Sequence, residues 1–393
     1  MPNHIMCALK VHYTHTDHME KSMRIFLWHG KDIERKGSCL IKWDKVCRPK
    51  IAGGLGVLKL RDHNKALLIK NLYKFYNHHD IPWVNLLWKA YYDNNTIPIT
   101  NGRKGSFWWR NCLSFLDEFR SITTCVPADG ATAYLWSDKW TENILEYKFP
   151  ELFSFARDKM ITVKSARVMI TDRAQEMFFL PLSMVAFNQY NDLVRIITDI
   201  PTDRDKDTWK FQWNSPVYST RKVYLEINNF PDAHVIFKWT WKSPCLPKHK
   251  FFFWLMIQDR VNTRDLLTRK NFHVESTSCV LCEGSIPETM PHLFFSCPFS
   301  VEFWEKLGES WDVTLPLHSM IMEAKSRSSN NFFKVAMMAG CWSLWNHRNK
   351  IIFDKEQRSM NTCYIFFKSA IEDIRHRVKP SLKEGMQTWI DTL

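Results

Sequence analysis

The chain has 393 residues, 45% hydrophobic and 24% charged, with only 12 Gly and 17 Pro. That composition is globular and excludes wholesale disorder as well as collagen-like or linker-like chains. The formal net charge is +13. Over residues 1–100, 101–200, 201–300 and 301–393 the excess of Lys and Arg is +8, 0, +3 and +2. A basic chain with 18 Trp and 27 Phe is compatible with a nucleic-acid partner. Eleven cysteines, an odd number scattered over a long chain, argue against a secreted disulfide framework. Any close cluster among them is then a candidate metal site. The longest apolar run, Phe251 to Ile257, falls far short of the ~20 residues of a membrane span. The N-terminal stretch shows no apolar signal-peptide core. The expectation is an intracellular, soluble protein with no membrane partner.

Taken in chain order, the sequence predicts a helix over Asp17 to Trp28, ending at Gly30. A glycine-dense turn follows at Gly53 to Leu60. Helical spacing of apolar residues predicts a helix from about Asp62 to His78, then another from Trp83 to Tyr92. Ser121 to Trp140 reads as short strands around a Pro127–Gly130 turn. Pro201 to Asp207 is polar and proline-led, the best boundary candidate. Trp209 to Trp213 alternates as a strand, and Ser219 or Thr220 can cap a helix through Ile227. Pro247 suits the first turn of a helix that carries the apolar run. Val301 to Leu307, Asn331 to Asn349 and Tyr364 to Val378 complete the predicted helices. The fold class expected is mainly α with a few short β-strands (α+β).

The strongest local signal is Cys279-Val-Leu-Cys282, followed by His292 and Cys297, a C-x2-C-x9-H-x4-C pattern. Two cysteines three apart on a tight turn aim their sulfurs at one point, and a His and a Cys five apart can answer from the other side. The result is a Cys3His tetrahedron for zinc, with no position left for an activated water, hence a structural role. His249 and His273 are substitute ligand candidates. Between Val235 and His273, eight basic residues stand against Asp259 and Asp265, with Trp239, Trp241 and Phe251 to Trp254 interleaved. Lys248, Lys250, Arg260, Arg264, Arg269 and Lys270 are the candidate nucleic-acid contacts, since cations beside aromatics suit phosphate contact and base stacking. The bland alternative makes the aromatics core and the cations its solvated face. Gly53–Gly56 lacks the GKS/T of a phosphate loop and reads as a turn. Tyr91-Tyr92-Asp93-Asn94 has one carboxylate where two-metal chemistry needs a pair, so it is a decoy.

Several segments resemble the region after the polymerase core in plant LINE-type, non-LTR retrotransposon reverse transcriptases. They are FLWHG (Phe26 to Gly30), IKWDKVCRPKIAGGLGVLKLRDHNKALLIKNLYKF (Ile41 to Phe75), GSFWWRN (Gly105 to Asn111), LWSDKW (Leu135 to Trp140) and FPELF (Phe149 to Phe153). Asp207 to Tyr224, Leu246 to Lys270 and Cys279 to Trp304 resemble that family's zinc-binding domain, and WSLWNHRNKIIF (Trp342 to Phe353) is similar to the helix that often follows it. The family's zinc ligands fall on Cys279, Cys282, His292 and Cys297. The chain departs from the family at Asn214-Ser215-Pro216, where a glycine often stands.

The resemblance implies a post-polymerase connector over 1–205, a zinc-binding domain over 206–305 and a helical tail over 306–393. As departures from that family, the chain is expected to lack the polymerase palm carboxylates, an endonuclease and a ribonuclease H, and so not to be an enzyme. The expected function is a non-catalytic nucleic-acid-binding fragment with a structural zinc knuckle; the alternative is a structural or protein-interaction module, or a degenerate retroelement remnant. RNA or target DNA is the expected partner, with a polymerase-bearing chain as a further one, and the family points to the nucleus.

Overall fold

The computed structural model describes residues 3–30, 39–92, 97–100, 102–200, 206–213, 217–282 and 284–392. Helices dominate. The two strands among the described residues, β1 (Thr123–Val126) and β2 (Thr208–Phe211), pair antiparallel from Thr123↔Phe211 to Val126↔Thr208. No helix among the described residues is long and apolar enough to cross a membrane. Chain packing divides the molecule into two units, Met1–Ile33 with Leu58–Phe230, and Glu34–Val57 with Pro231–Leu393.

The first unit is built round the helix Leu60–Tyr76, whose Ala66, Leu68, Ile69, Leu72, Phe75 and Tyr76 are buried. Helices Thr220–Asn228, Phe107–Leu113 and Leu116–Ser121 pack on it, as does β2. Burying a polar group is tolerable only when its hydrogen bonds are met. Asn64, 2% exposed, meets its own by donating to the carbonyls of Met6 and Leu9 and accepting from the Val11 amide, which fixes the N-terminal helix.

The predicted run of strands over Ser121 to Trp140 holds only for β1, which pairs with β2 rather than folding back across Pro127–Gly130. Asp207 supplies the reason. Its buried carboxylate accepts from the amides of Ala128, Gly130 and Thr132 and from the Thr132 hydroxyl, at 2.7–2.8 Å. The turn therefore closes on a side chain next to β2. In LWSDKW, Trp136 and Trp140 are core residues. Asp138 accepts from the Tyr134 amide and pairs with Arg120, whose guanidinium lies over the Tyr76, Tyr134 and Trp209 rings.

In the second unit, Pro247–Met256 begins with proline in its first turn and buries Phe252 through Met256. It packs on the long helix Phe333–Phe353, which in turn packs on Met360–Arg375. Val235–Lys242, Arg264–Arg269, Pro298–Lys306, Leu317–Arg327 and Pro380–Asp391 also belong to the unit, as does the short helix Trp43–Val46. The Gly53–Gly56 segment is a backbone turn. Gly53 and Gly56 have φ of 83° and 76°, and a Cβ on Gly54 would lie 2.1 Å from the Arg48 carbonyl oxygen.

Candidate metal centre

The CxxC turn is held open as a short antiparallel arc. Ser278 bridges Pro287, the Cys279 amide donates to Ile286 O at 2.9 Å, and the Glu288 amide to Thr277 O at 2.8 Å. On the other side, His292–Ser296 is a π-helical turn closed by the Cys297 amide on His292 O at 2.7 Å. In an α-helix, residues five apart would point about 140° away from each other at 3.6 residues per turn. A turn with i to i+5 bonding instead stacks residue i+5 over residue i. That is how a His and a Cys separated by four residues come to face one point.

The ligand atoms of Cys279, Cys282, His292 and Cys297 all lie within 4.8 Å of one another. Cys279 Sγ is 4.0 Å from Cys297 Sγ, and Cys282 Sγ is 3.4 Å from His292 Nε2. Around a tetrahedral zinc, sulfurs stand about 3.8 Å apart and sulfur to nitrogen about 3.6 Å, so the donor set fits the metal. His292 keeps Nδ1 toward Ser296 Oγ at 3.5 Å, an outer contact of the kind that orients a ligating imidazole. Cys279, His292 and Cys297 are buried, while Cys282 is half-buried at the rim.

Without a cation, the site favours a thiolate at Cys297 alone. The Cys297 thiol is pushed down to about 6, first because Cys279 shares its proton with it. The amides of Phe299 and Ser300, at the start of helix Pro298–Lys306, and nearby His292 also favour the thiolate, against burial. Cys279 is correspondingly pushed up by that shared proton and by burial; Cys282 is pushed up by burial and the neighbouring Cys297. Leu281 and Gly284 direct backbone amides at the Cys279 and Cys282 sulfurs. Three thiols this close cannot all ionise without a cation between them.

Sequence reasoning missed what braces the knuckle. Glu288 is fully buried and meets Arg348 in a two-pronged pair, at 2.6 Å to Nη2 and 3.2 Å to Nε. It also accepts from the Arg264 amide at 3.0 Å. Arg264 Nη1 donates to Ser278 O at 2.7 Å, and Arg358 Nη1 to Leu281 O at 3.3 Å. Arg348 lies in the WSLWNHRNKIIF segment, so the helix similar to the family's is the one that anchors the metal loop. No signal in the sequence tied Glu288 to a residue sixty positions away.

The six candidate nucleic-acid contacts are placed unevenly. Lys248 is exposed, 5.9 Å above the Trp342 ring. Lys250 donates to Trp241 O, and Arg260 to Asp259 O. Arg264 is committed to Ser278, and Arg269 is paired with both Asp259 and Asp265. Burial, helped by nearby Arg260 and Arg269, pushes the Lys270 ammonium down. Neither substitute ligand joins the cluster. His249 is buried beside Trp342 with neither ring nitrogen hydrogen-bonded, and burial pushes it down to about 4. In the polymerase-like decoy, Tyr92 is a core residue accepting from Trp109 Nε1 at 2.9 Å. Asp93 and Asn94 lie outside the described residues, as do Asn214-Ser215-Pro216 and positions 201–205 of the boundary candidate.

Residues 218–304, which contain all four ligands, match the family described as zinc-binding in reverse transcriptase. The Cys3His set inside this match fits structural zinc. Two proteins of Arabidopsis thaliana are similar to the chain. One, named as a candidate ribonuclease H protein, is 27% identical over 320 residues, covering 78% of this chain and 50% of its own length. The other, an uncharacterized mitochondrial protein, is 24% identical over 142 residues, 36% of this chain and 92% of its own length. The chain thus spans about half the length of the first relative. The zinc-binding match and these plant relatives agree with a retrotransposon origin.

Proposed function

We propose that this chain acts as a non-catalytic, nucleic-acid-binding C-terminal segment of a LINE-type, non-LTR retrotransposon reverse transcriptase. The observation that carries this reading is the Cys3His centre, set inside the reverse-transcriptase zinc-binding match and braced by Arg264 on Ser278 O. In this account zinc fixes the loop, and the loop fixes the helix Arg264–Arg269. Lys248, Arg260 and Lys270 then meet phosphates of RNA or target DNA, a contact that positions without reading sequence. Residues 1–205 would serve as the connector, 206–305 as the zinc-binding domain and 306–393 as a helical tail. A polymerase-bearing partner and a nuclear setting belong to the same reading.

The name of the first relative raises ribonuclease H activity. Such phosphoryl chemistry calls for carboxylates around two metals. The metal-holding cluster among the described residues is three thiols and an imidazole, a set that fills zinc's four positions. That supports structure over catalysis. The competing reading, an interaction module or remnant, is favoured by one observation: Arg269 is neutralised by Asp259 and Asp265.

Salt dependence separates the two readings. For each phosphate contacted, log affinity should fall by about 0.7–0.9 per log unit of salt. Replacing Lys248, Arg260 and Lys270 by Ala should therefore flatten the slope by about 2–3 while the protein stays folded. An affinity indifferent to salt, or no binding at low salt, would favour the interaction module.

A further inference from the structure

Away from the zinc knuckle, the second unit holds a cavity of about 470 Å³ lined by helices Val235–Lys242 and Phe333–Phe353, with Val378 and Leu382 also in its lining. That volume lies in the range of small-molecule sites, about 300–1,000 Å³. Three cations line it, Lys238, Lys242 and Lys334, and no carboxylate does among the described residues. Lys238 and Lys242 are exposed. Lys334 is held with its ammonium 4.4 Å above the Trp239 ring, and burial together with nearby Lys325 pushes it down. The rest of the lining is largely apolar, with Trp239, Phe332 and Val335 among it. The sequence showed only the half of this set that lies in one helix. Phe332 and Lys334 arrive from about a hundred residues further on, so the enclosure is a product of the fold.

A largely apolar lining that carries three lysines is complementary to a ligand with one apolar face and one anionic end. We propose that this cavity binds a nucleotide of single-stranded nucleic acid, its base against the Trp239 wall and its phosphate between Lys238 and Lys242. The inference rests on the nucleic-acid reading above but uses none of its six residues. A stacked duplex keeps its bases paired and cannot offer one to such a pocket, whereas a single strand can lay bases on aromatic side chains. Lysine, a mobile point charge, suits a phosphate whose approach is not fixed.

The test is fluorescence anisotropy on the full chain, with an oligouridylate of about ten nucleotides and a duplex of equal length. Lys238→Ala with Lys242→Ala, at two exposed positions, should retain zinc and melting temperature. The pair should lose about tenfold or more in single-strand affinity, and the salt slope should fall by about 1.4, two contacts at about 0.7 each. Trp239→Leu should weaken single-strand binding by about five- to hundredfold with the slope unchanged. Duplex binding should change less than about threefold in either variant. Equal losses on duplex and single strand, or no loss at all, would overturn the proposal. So would displacement of the strand by an equal nucleotide concentration of free uridine monophosphate, which would give the cavity to free nucleotides. An unaltered chain that binds neither probe overturns the parent reading as well. Binding that responds to Lys248, Arg260 and Lys270 but not to the cavity variants sinks this inference alone.

Discussion

Glu288 and Arg348 are the residues on which the metal loop hangs. Both are almost completely removed from water, with side chains 0% and 4% exposed. Desolvating two charges is costly, and the pair is tolerated because each end is satisfied more than once: Glu288 also receives the Arg264 amide, and Arg348 lies 4.7 Å from the Trp345 ring. Removing one partner leaves the other charged and buried, which costs about 3–5 kcal/mol in typical cases. Arg348→Ala should lower the unfolding free energy by that order, and Arg348→Met with Glu288→Gln should recover part of it. Urea denaturation of the zinc-loaded protein measures both. A single variant within 0.5 kcal/mol of the parent, about the size of an ordinary surface effect, would show that the pair braces nothing.

At the level of elements, close approach decides more than propensity does. Gly340 sits inside the long helix Phe333–Phe353, where glycine costs about 1 kcal/mol against alanine. A Cβ there would lie 2.4 Å from Cη2 of Trp304 and 3.1 Å from Cε1 of Phe303. Trp304 cannot easily yield, since it is buried and its Nε1 donates to Phe294 O at 2.7 Å. Gly340→Ala should therefore destabilise by about 1–3 kcal/mol, the usual cost of overpacking, despite its better helix propensity. A raised denaturation midpoint would contradict this.

The elements that the sequence did predict are those with local causes. Ser219 accepts from the Lys222 amide and starts Thr220–Asn228, Pro247 starts Pro247–Met256, and Gly30 closes Tyr13–His29. Helices Val163–Asp172, Met184–Thr198, Leu317–Arg327 and Pro380–Asp391 are not among the predicted ones, although Thr162 and Ser183 cap the first two. The pairing of β1 with β2 was out of reach because Asp207 acts on a turn nearly eighty residues earlier. The four clustered donors were legible because their spacing is local, whereas Glu288 with Arg348, and Lys334 over Trp239, depend on packing between distant helices.

For the whole molecule, the metal's role is bounded by what surrounds it. Three thiolates and a neutral imidazole around Zn2+ carry net −1, so the centre organises structure and leaves phosphate to the lysines and arginines. Isolated zinc-finger peptides owe an apparent ~10–16 kcal/mol to their metal. Here Leu281, Leu293, Phe294 and Phe295 are buried in their own right, so chelation should loosen the loop while most helix packing survives. Because the thiols must shed protons to bind, zinc retention should weaken as pH falls toward about 5. Elemental analysis of the purified chain, beside Cys282→Ser and His292→Ala, decides whether these four side chains hold zinc. One zinc per chain, lost in both variants, is the predicted result. A folded, metal-free protein whose Cys279 and Cys282 react freely with a thiol reagent, even after zinc is offered, would contradict it.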